Sequence, residues 1–206
     1  MGTRKFYEEV VEFCQRYNII ACHDAAYTEI YFDGHKPISF MEVDGAKKVG
    51  IEFHSLSKTF NMTGWRLGFA VGNADVIAGL GQIKTNIDSG VFEAIQEAGI
   101  TALKDSSHET EELRVIYEER RDLLVTGLQK MGLPVEPPAA TFYVWAPVPK
   151  GYTSMDFTTL LLNQSGILAT PGNGFGPSGE GFVRFSLTAG TNRIKEGVER
   201  LHSVSF

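Results

Sequence analysis

Lys58 sits in the stretch SLSKTFNMTGWRLGF, residues 55–69, with Ser55 and Ser57 beside it and Arg66 shortly after. A surface lysine needs no such company. Hydroxyls and a guanidinium are groups that bind phosphate, the guanidinium through its planar, bidentate fork. A lysine amine held beside a phosphate site can condense with an aldehyde carried on the same ligand. Ser55 and Ser57 are two residues apart, so an extended backbone would point both hydroxyls to one side. Arg66 heads the next apolar run, and if the two runs pair as antiparallel strands it returns close to Ser55.

These requirements are those of pyridoxal 5′-phosphate: an amine for its aldehyde and a hydroxyl and guanidinium cradle for its phosphate. Its ring nitrogen must also stay protonated, which a buried carboxylate ensures. Asp24 ends the first apolar run, where ligands of open α/β sheets bind. Tyr27, three residues on in DAAY, supplies a donor for the ring oxygen O3′. His23 and His54 flank these positions and read as packed side chains rather than catalytic groups.

The elements that must carry these residues follow from hydrophobic period. Phe6, Val10, Phe13, Cys14 and Tyr17 recur at helical spacing and predict an amphipathic helix over residues 4–17. NIIACHD, VGIEFHS (49–55) and RLGFAVG (66–72) are nearly all-apolar runs, as expected of strands buried on both faces. Only ten residues separate the second from the third, too few for a parallel crossover, so the third strand is predicted antiparallel to the second. Residues 75–104 read as helix broken near NIDSG, and a long helix follows with Ser106 and Glu109 as a capping box. Its apolar stripe is Leu113, Ile116, Tyr117, Leu124, Leu128 and Met131, and Gly132 stops it.

Beyond LPVEPPAA the pattern changes to short strands in TFYVWAPV, GILATPG and GFVRFSL, with helices near residues 155–165 and 191–202. That is a smaller α+β lobe, with the boundary near residue 105. Arg184 alternates with Val183, Phe185 and Leu187 and shares a face with Ser186; an ordinary ion pair is an alternative use for it. GFGPSG, residues 174–179, matches a dinucleotide-binding pattern by letter, but Pro177 interrupts it and a strand follows it, so it reads as a mobile loop.

Composition excludes several classes. The 206 residues are 43% hydrophobic and 21% charged, ordinary for a globular chain. The net charge of −6 and the lack of a basic stripe argue against a nucleic-acid partner. No apolar run approaches the ~20 residues of a membrane span, and the N-terminus is charged and amphipathic rather than a signal peptide. Cys14 and Cys22 lack metal or redox spacing and read as two buried free thiols; the five histidines lack zinc spacing, so no metal is expected. The expected compartment is the cytoplasm.

DAAY, SLSKTFNMTGWRLGF and FVRFSL also stand in the order and spacing of the fold-type I, pyridoxal-phosphate-dependent aminotransferases of class I/II, and the chain resembles that family over essentially its whole length. The resemblance implies that Lys58 is the Schiff-base lysine and the general base at the substrate α-carbon. Asp24 would pair with the ring nitrogen and Tyr27 with O3′. Ser55 and Arg66 would hold the phosphate with help from Ser57, and Arg184 would bind the substrate α-carboxylate. It implies an α/β fold: the C-terminal part of the large domain, a mostly parallel sheet with one antiparallel strand, over residues 1–105. An interdomain helix and a small α+β domain would occupy residues 106–206. Amino-acid and 2-oxo-acid substrates follow, and a homodimer for the full-length protein.

HSLSKTFNMTGWR, KTNIDSGVFEAIQEAGI and ATPGNGFGPSGEGFVRFSLT resemble more narrowly the bacterial LL-diaminopimelate aminotransferases of lysine biosynthesis, which use 2-oxoglutarate. An aspartate, alanine or aromatic aminotransferase, a lyase of the same fold, and a non-catalytic fragment are the alternatives. The family places a phosphate-binding loop, a stacking aromatic ring and an asparagine upstream of the aspartate, and only 23 residues precede Asp24. The chain is therefore expected to be a C-terminal half with little activity alone.

Overall fold

In the computed structural model, which describes residues 1–206, the chain divides into two compact units, Met1–Arg114 and Val115–Phe206. The first opens with helix α1, Arg4–Tyr17, whose N-cap Thr3 accepts from Phe6 N and whose C-cap Asn18 turns into the left-handed region. The helix falls where the spacing places it, but its buried stripe is Tyr7, Val11 and Cys14. Phe6, Phe13 and Tyr17, expected on the inner face, are exposed. The helix is apolar on two sides, and the side that packs is the one that meets Phe40, Val43, Ala46 and Val49.

Strands β1, Ala21–Asp24, β2, Gly50–Ser55, and β3, Gly68–Gly72, form one sheet in that order. β1 and β2 are parallel, with Asp24 opposite Phe53. β2 and β3 are antiparallel, with Ser55 opposite Gly68, as the short connection predicted. The strands are not buried on both faces: Asp24 and Cys22 are exposed, and Phe53, the register partner of Asp24, is 37% exposed. The prediction of two buried thiols thus fails at Cys22, because nothing in the chain covers that side of β1. Between the first two strands lie a 3-10 turn, Phe40–Glu42, and helix α2, Ala46–Val49.

Helix α3, Leu56–Thr59, follows β2 directly. Helices α4, Ala74–Ile87, and α5, Glu93–Asp105, are separated near the predicted break, and α4 buries no side chain. Helix α6, Ser107–Lys130, follows after Ser106 alone. The capping box on Ser106 does not form. Ser106 has φ −107° and ψ 34°, outside the extended conformation an N-cap needs, because it also ends α5.

Within the second unit, Tyr117, Arg121, Leu124 and Leu128 form the buried stripe of α6, while Ile116 is exposed. Gly132, at φ +91°, ends that stripe as expected. Strands β4, Tyr143–Pro147, β5, Thr170–Pro171, and β6, Phe182–Ser186, make an antiparallel sheet with β6 central. Helices α7, Ser154–Ser165, and α8, Thr191–Leu201, complete it. Val144, Ala146, Val183 and Phe185 are buried on one face of the sheet, which leaves Tyr143, Trp145 and Arg184 on the other.

Candidate active site

In the first unit the candidate groups gather at the C-terminal ends of β1 and β2. Asp24 closes β1, and its carboxylate makes no hydrogen bond or ion pair in the chain. Tyr27 lies in the turn that follows, and Lys58 on α3 brings its ammonium 6.0 Å from the centre of the Tyr27 ring. Lys58 is half-buried and pairs with no carboxylate.

Ser55 ends β2 and Ser57 belongs to α3, so the extended segment expected to align their hydroxyls is replaced by a helical turn. Ser57 is buried at 4% exposure. The reason is local: Leu56 N bonds to Leu67 O across the strand pair, and Phe60 N then bonds back to Leu56 O, closing the turn. The chain reverses through a 3-10 turn, Thr63–Trp65, flanked by Asn61 and Arg66, both at φ 55°. A left-handed non-glycine residue costs on the order of 1–2 kcal/mol. That conformation returns Arg66 toward Ser55, since two residues later Gly68 pairs with Ser55. The Arg66 guanidinium is exposed and donates to Thr63 O at 3.1 Å. A Cβ on Gly68 would lie 2.6 Å from His54 O, so the close pairing at this end of the sheet requires glycine.

Behind these groups is a cluster that the sequence reading missed. Glu52, 1% exposed, accepts from Ser39 Oγ and His54 Nε2 on one oxygen and from His23 Nδ1 and Phe40 N on the other, at 2.7–3.0 Å. All four lone-pair sites of the carboxylate are filled. Burial alone would raise the Glu52 pKa. The His23, Ser39 and Phe40 hydrogen bonds and the His54 charge outweigh it and lower the pKa to about 2. Because a carboxylate only accepts, His23 carries a proton on Nδ1 and His54 on Nε2. Tyr7 OH meets the other His23 nitrogen at 3.3 Å, and burial, then the Glu52 charge, raises the Tyr7 pKa. The two histidines are thus more than packed side chains: each holds Glu52 through one ring nitrogen. A charged residue at the centre of an otherwise apolar strand was the available signal.

A separate cleft of about 440 Å³ is lined by Tyr31, His54, Ser55, Thr59, Phe69 and Arg114 among others. Of the candidate residues only Ser55 reaches it. Its arginine is already engaged, by Glu29 and Glu111 and over the Tyr31 ring at 4.6 Å.

In the second unit, Arg184 is half-buried on β6 directly opposite Trp145. The alternative ion pair is absent: its guanidinium meets no carboxylate, only the Tyr143 and Phe175 rings. The GFGPSG segment is not loose. It forms 3-10 turns Gly172–Phe175 and Pro177–Gly179, closed by Glu180, which accepts from Ser154 N and Oγ at 2.7 and 2.8 Å.

An unpartnered amine, an unpartnered carboxylate, a hydroxyl and a guanidinium at the strand ends are a donor set that fits pyridoxal phosphate. The fold agrees. A family model described as aminotransferase class I and II matches residues 2–201, and the chain belongs to that family. It is 59% identical over 205 residues to an LL-diaminopimelate aminotransferase of Syntrophobacter fumaroxidans, covering 100% of this chain and 53% of the relative. It is 55% identical over 206 residues to LL-diaminopimelate aminotransferase 2 of a Nostoc species, again covering 53% of the relative. The apo BacF structure from Bacillus subtilis superposes with a TM-score of 0.94 at 38% identity, over 100% of this chain and 53% of that one. An aromatic aminotransferase from Pyrococcus horikoshii gives 0.91 at 33% identity, over 98% and 55%. The architecture is that of the fold-type I aminotransferases, and the chain spans about half the length of the curated relatives it matches. The family implies use of pyridoxal phosphate. No helix is long and apolar enough to cross a membrane.

Proposed function

We propose that the chain carries the lysine-bearing portion of a pyridoxal-phosphate-dependent aminotransferase that moves an amino group between LL-diaminopimelate and 2-oxoglutarate, in cytoplasmic lysine biosynthesis. The observation that carries the substrate choice is the 54–59% identity to relatives named for that reaction, against 33% to the aromatic enzyme. Residues 1–105 would form the cofactor-binding portion and residues 106–206 the interdomain helix and small domain.

When bound, the cofactor supplies an electron sink for charge at the substrate α-carbon. Lys58 would take the proton from the α-carbon of the amino donor and, in the second half of the exchange, give one to the α-carbon of the acceptor. Asp24 keeps a proton on the ring nitrogen, Tyr27 donates to O3′, and Ser55, Ser57 and Arg66 hold the phosphate. Arg184 receives the α-carboxylate through its planar fork. The groups that line the other walls of such a site would come from the length that the relatives have and this chain does not span, and from a second subunit of a homodimer.

The test is to join the chain to the remaining half of the Syntrophobacter relative and compare amino donors. LL-diaminopimelate should outpace aspartate, alanine and tyrosine. Faster turnover with any of the three would remove the substrate assignment, and release of product without transfer to 2-oxoglutarate would point to a lyase. The chain alone should turn over little or nothing.

A further inference from the structure

A half-buried guanidinium without a counter-ion needs another source of order, and Arg184 has one. Its Cζ lies 4.1 Å from the centre of the Tyr143 ring and 4.3 Å from that of Phe175. The rings arrive from different elements: Tyr143 opens β4, the neighbour of β6, and Phe175 ends the first 3-10 turn of the glycine-rich loop. Trp145, opposite Arg184 in the ladder, meets Phe175 edge-on at 5.2 Å.

The loop that presents Phe175 is fixed at its base. Ser154 Oγ donates to Glu180 and lies 3.4 Å from Asn173 N, which donates to it. Gly172 and Gly179 approach so closely that a Cβ on either would lie 1.9 or 2.1 Å from the other's carbonyl oxygen. Gly176, at φ +107°, makes the turn between the two 3-10 segments.

We propose that Tyr143 and Phe175 are positioning residues for Arg184. Their π-faces hold the cation by quadrupole attraction and leave its in-plane N–H groups to meet a planar carboxylate. The Ser154–Glu180 latch holds Phe175 in place for that contact. This inference rests on the reading of Arg184 as the carboxylate ligand, and it adds two residues that the motif carrying Arg184 does not contain.

The test follows the Arg184 Nε–H signal in the arginine-labelled chain, assigned with Arg184→Gln, while L-glutamate is added. The unaltered chain should show a saturable shift. Phe175→Leu and Tyr143→Leu should each weaken the apparent affinity about fivefold, and Tyr143→Phe, which keeps the ring, should stay within about twofold. Amide signals of Val144, Phe185 and Leu187 report whether the sheet is intact. If they move in Phe175→Leu, Phe175→Met takes its place, with the same weakening expected. Leucine variants that bind as tightly as the unaltered chain would overturn the positioning role and leave the reading of Arg184 standing. Equal damage from Tyr143→Phe would assign the effect to the phenol and overturn the ring contact. No response in the unaltered chain would overturn the carboxylate reading itself, and the inference with it.

Discussion

Lys58 Nζ stands 6.0 Å from the centre of the Tyr27 ring, although the two residues follow different strands of the sheet. The parallel pairing of β1 with β2 puts the turn after Asp24 beside the helical turn after Ser55, and so sets an amine next to a phenol. Borohydride reduction in the presence of pyridoxal phosphate should attach the cofactor to Lys58 in the chain joined to its relative's remaining half. Lys58→Ala should abolish both that label and the visible absorbance. Peptide mapping that finds the label on another lysine would remove Lys58 from its role.

Asp24 sits at the exposed end of β1 with its carboxylate unspent. In the joined chain, Asp24→Ala should lower turnover about a hundredfold while part of the cofactor stays bound. Absorbance titration and steady-state rates check the two halves of that statement separately. An unchanged rate would assign the ring nitrogen to some other group.

The Glu52 cluster predicts an acid limb in the stability of the first unit. Glu52 has its pKa lowered from 4.5 to about 2, so its contribution is fully present above the ordinary value and is lost as pH falls through the lowered one. The amount is roughly 3 kcal/mol. Hydrogen exchange of the Phe53 and His54 amides, followed from pH 6 to pH 2, should show protection falling over that window. Glu52→Gln should start less protected and lose less. Parallel pH profiles for the two chains would mean the carboxylate is not the group responsible.

The latch in the second unit predicts a local effect. Ser154, 0% exposed, loses two hydrogen bonds on truncation, so Ser154→Ala should cost about 1–3 kcal/mol. Glu180 has its pKa lowered, chiefly by the Ser154 backbone donor and then by the Ser154 hydroxyl. The latch should therefore loosen only as pH falls below the usual glutamate range. Amide exchange at Asn173 measures both, and protection unchanged in Ser154→Ala would contradict the contact.

Period and spacing were enough to find most elements, including the break between α4 and α5 and the antiparallel third strand. They erred where burial depends on partners from far along the chain. The exposed side of α1 is as apolar as the buried one, and only the meeting with Phe40 decides which turns inward. The Ser106 capping box had the right letters, but α5 runs into the same residue. Lys58, Asp24 and Arg66 stood out as candidates because their chemistry is unusual for their positions. The cluster around Glu52 did not, since its four donors lie in three separate segments, and Tyr143 and Phe175 read as ordinary residues until the ladder and the glycine-rich loop, respectively, set them beside Arg184.

Glu52 also constrains how this sequence can drift. With every acceptor site of a buried anion taken, replacing Ser39, His23 or His54 one at a time leaves charge uncompensated, and replacing Glu52 alone strands three side-chain donors and a main-chain one. Neutral passage between variants at these positions therefore requires joint substitution, so the four residues form an epistatic unit inherited together or exchanged together.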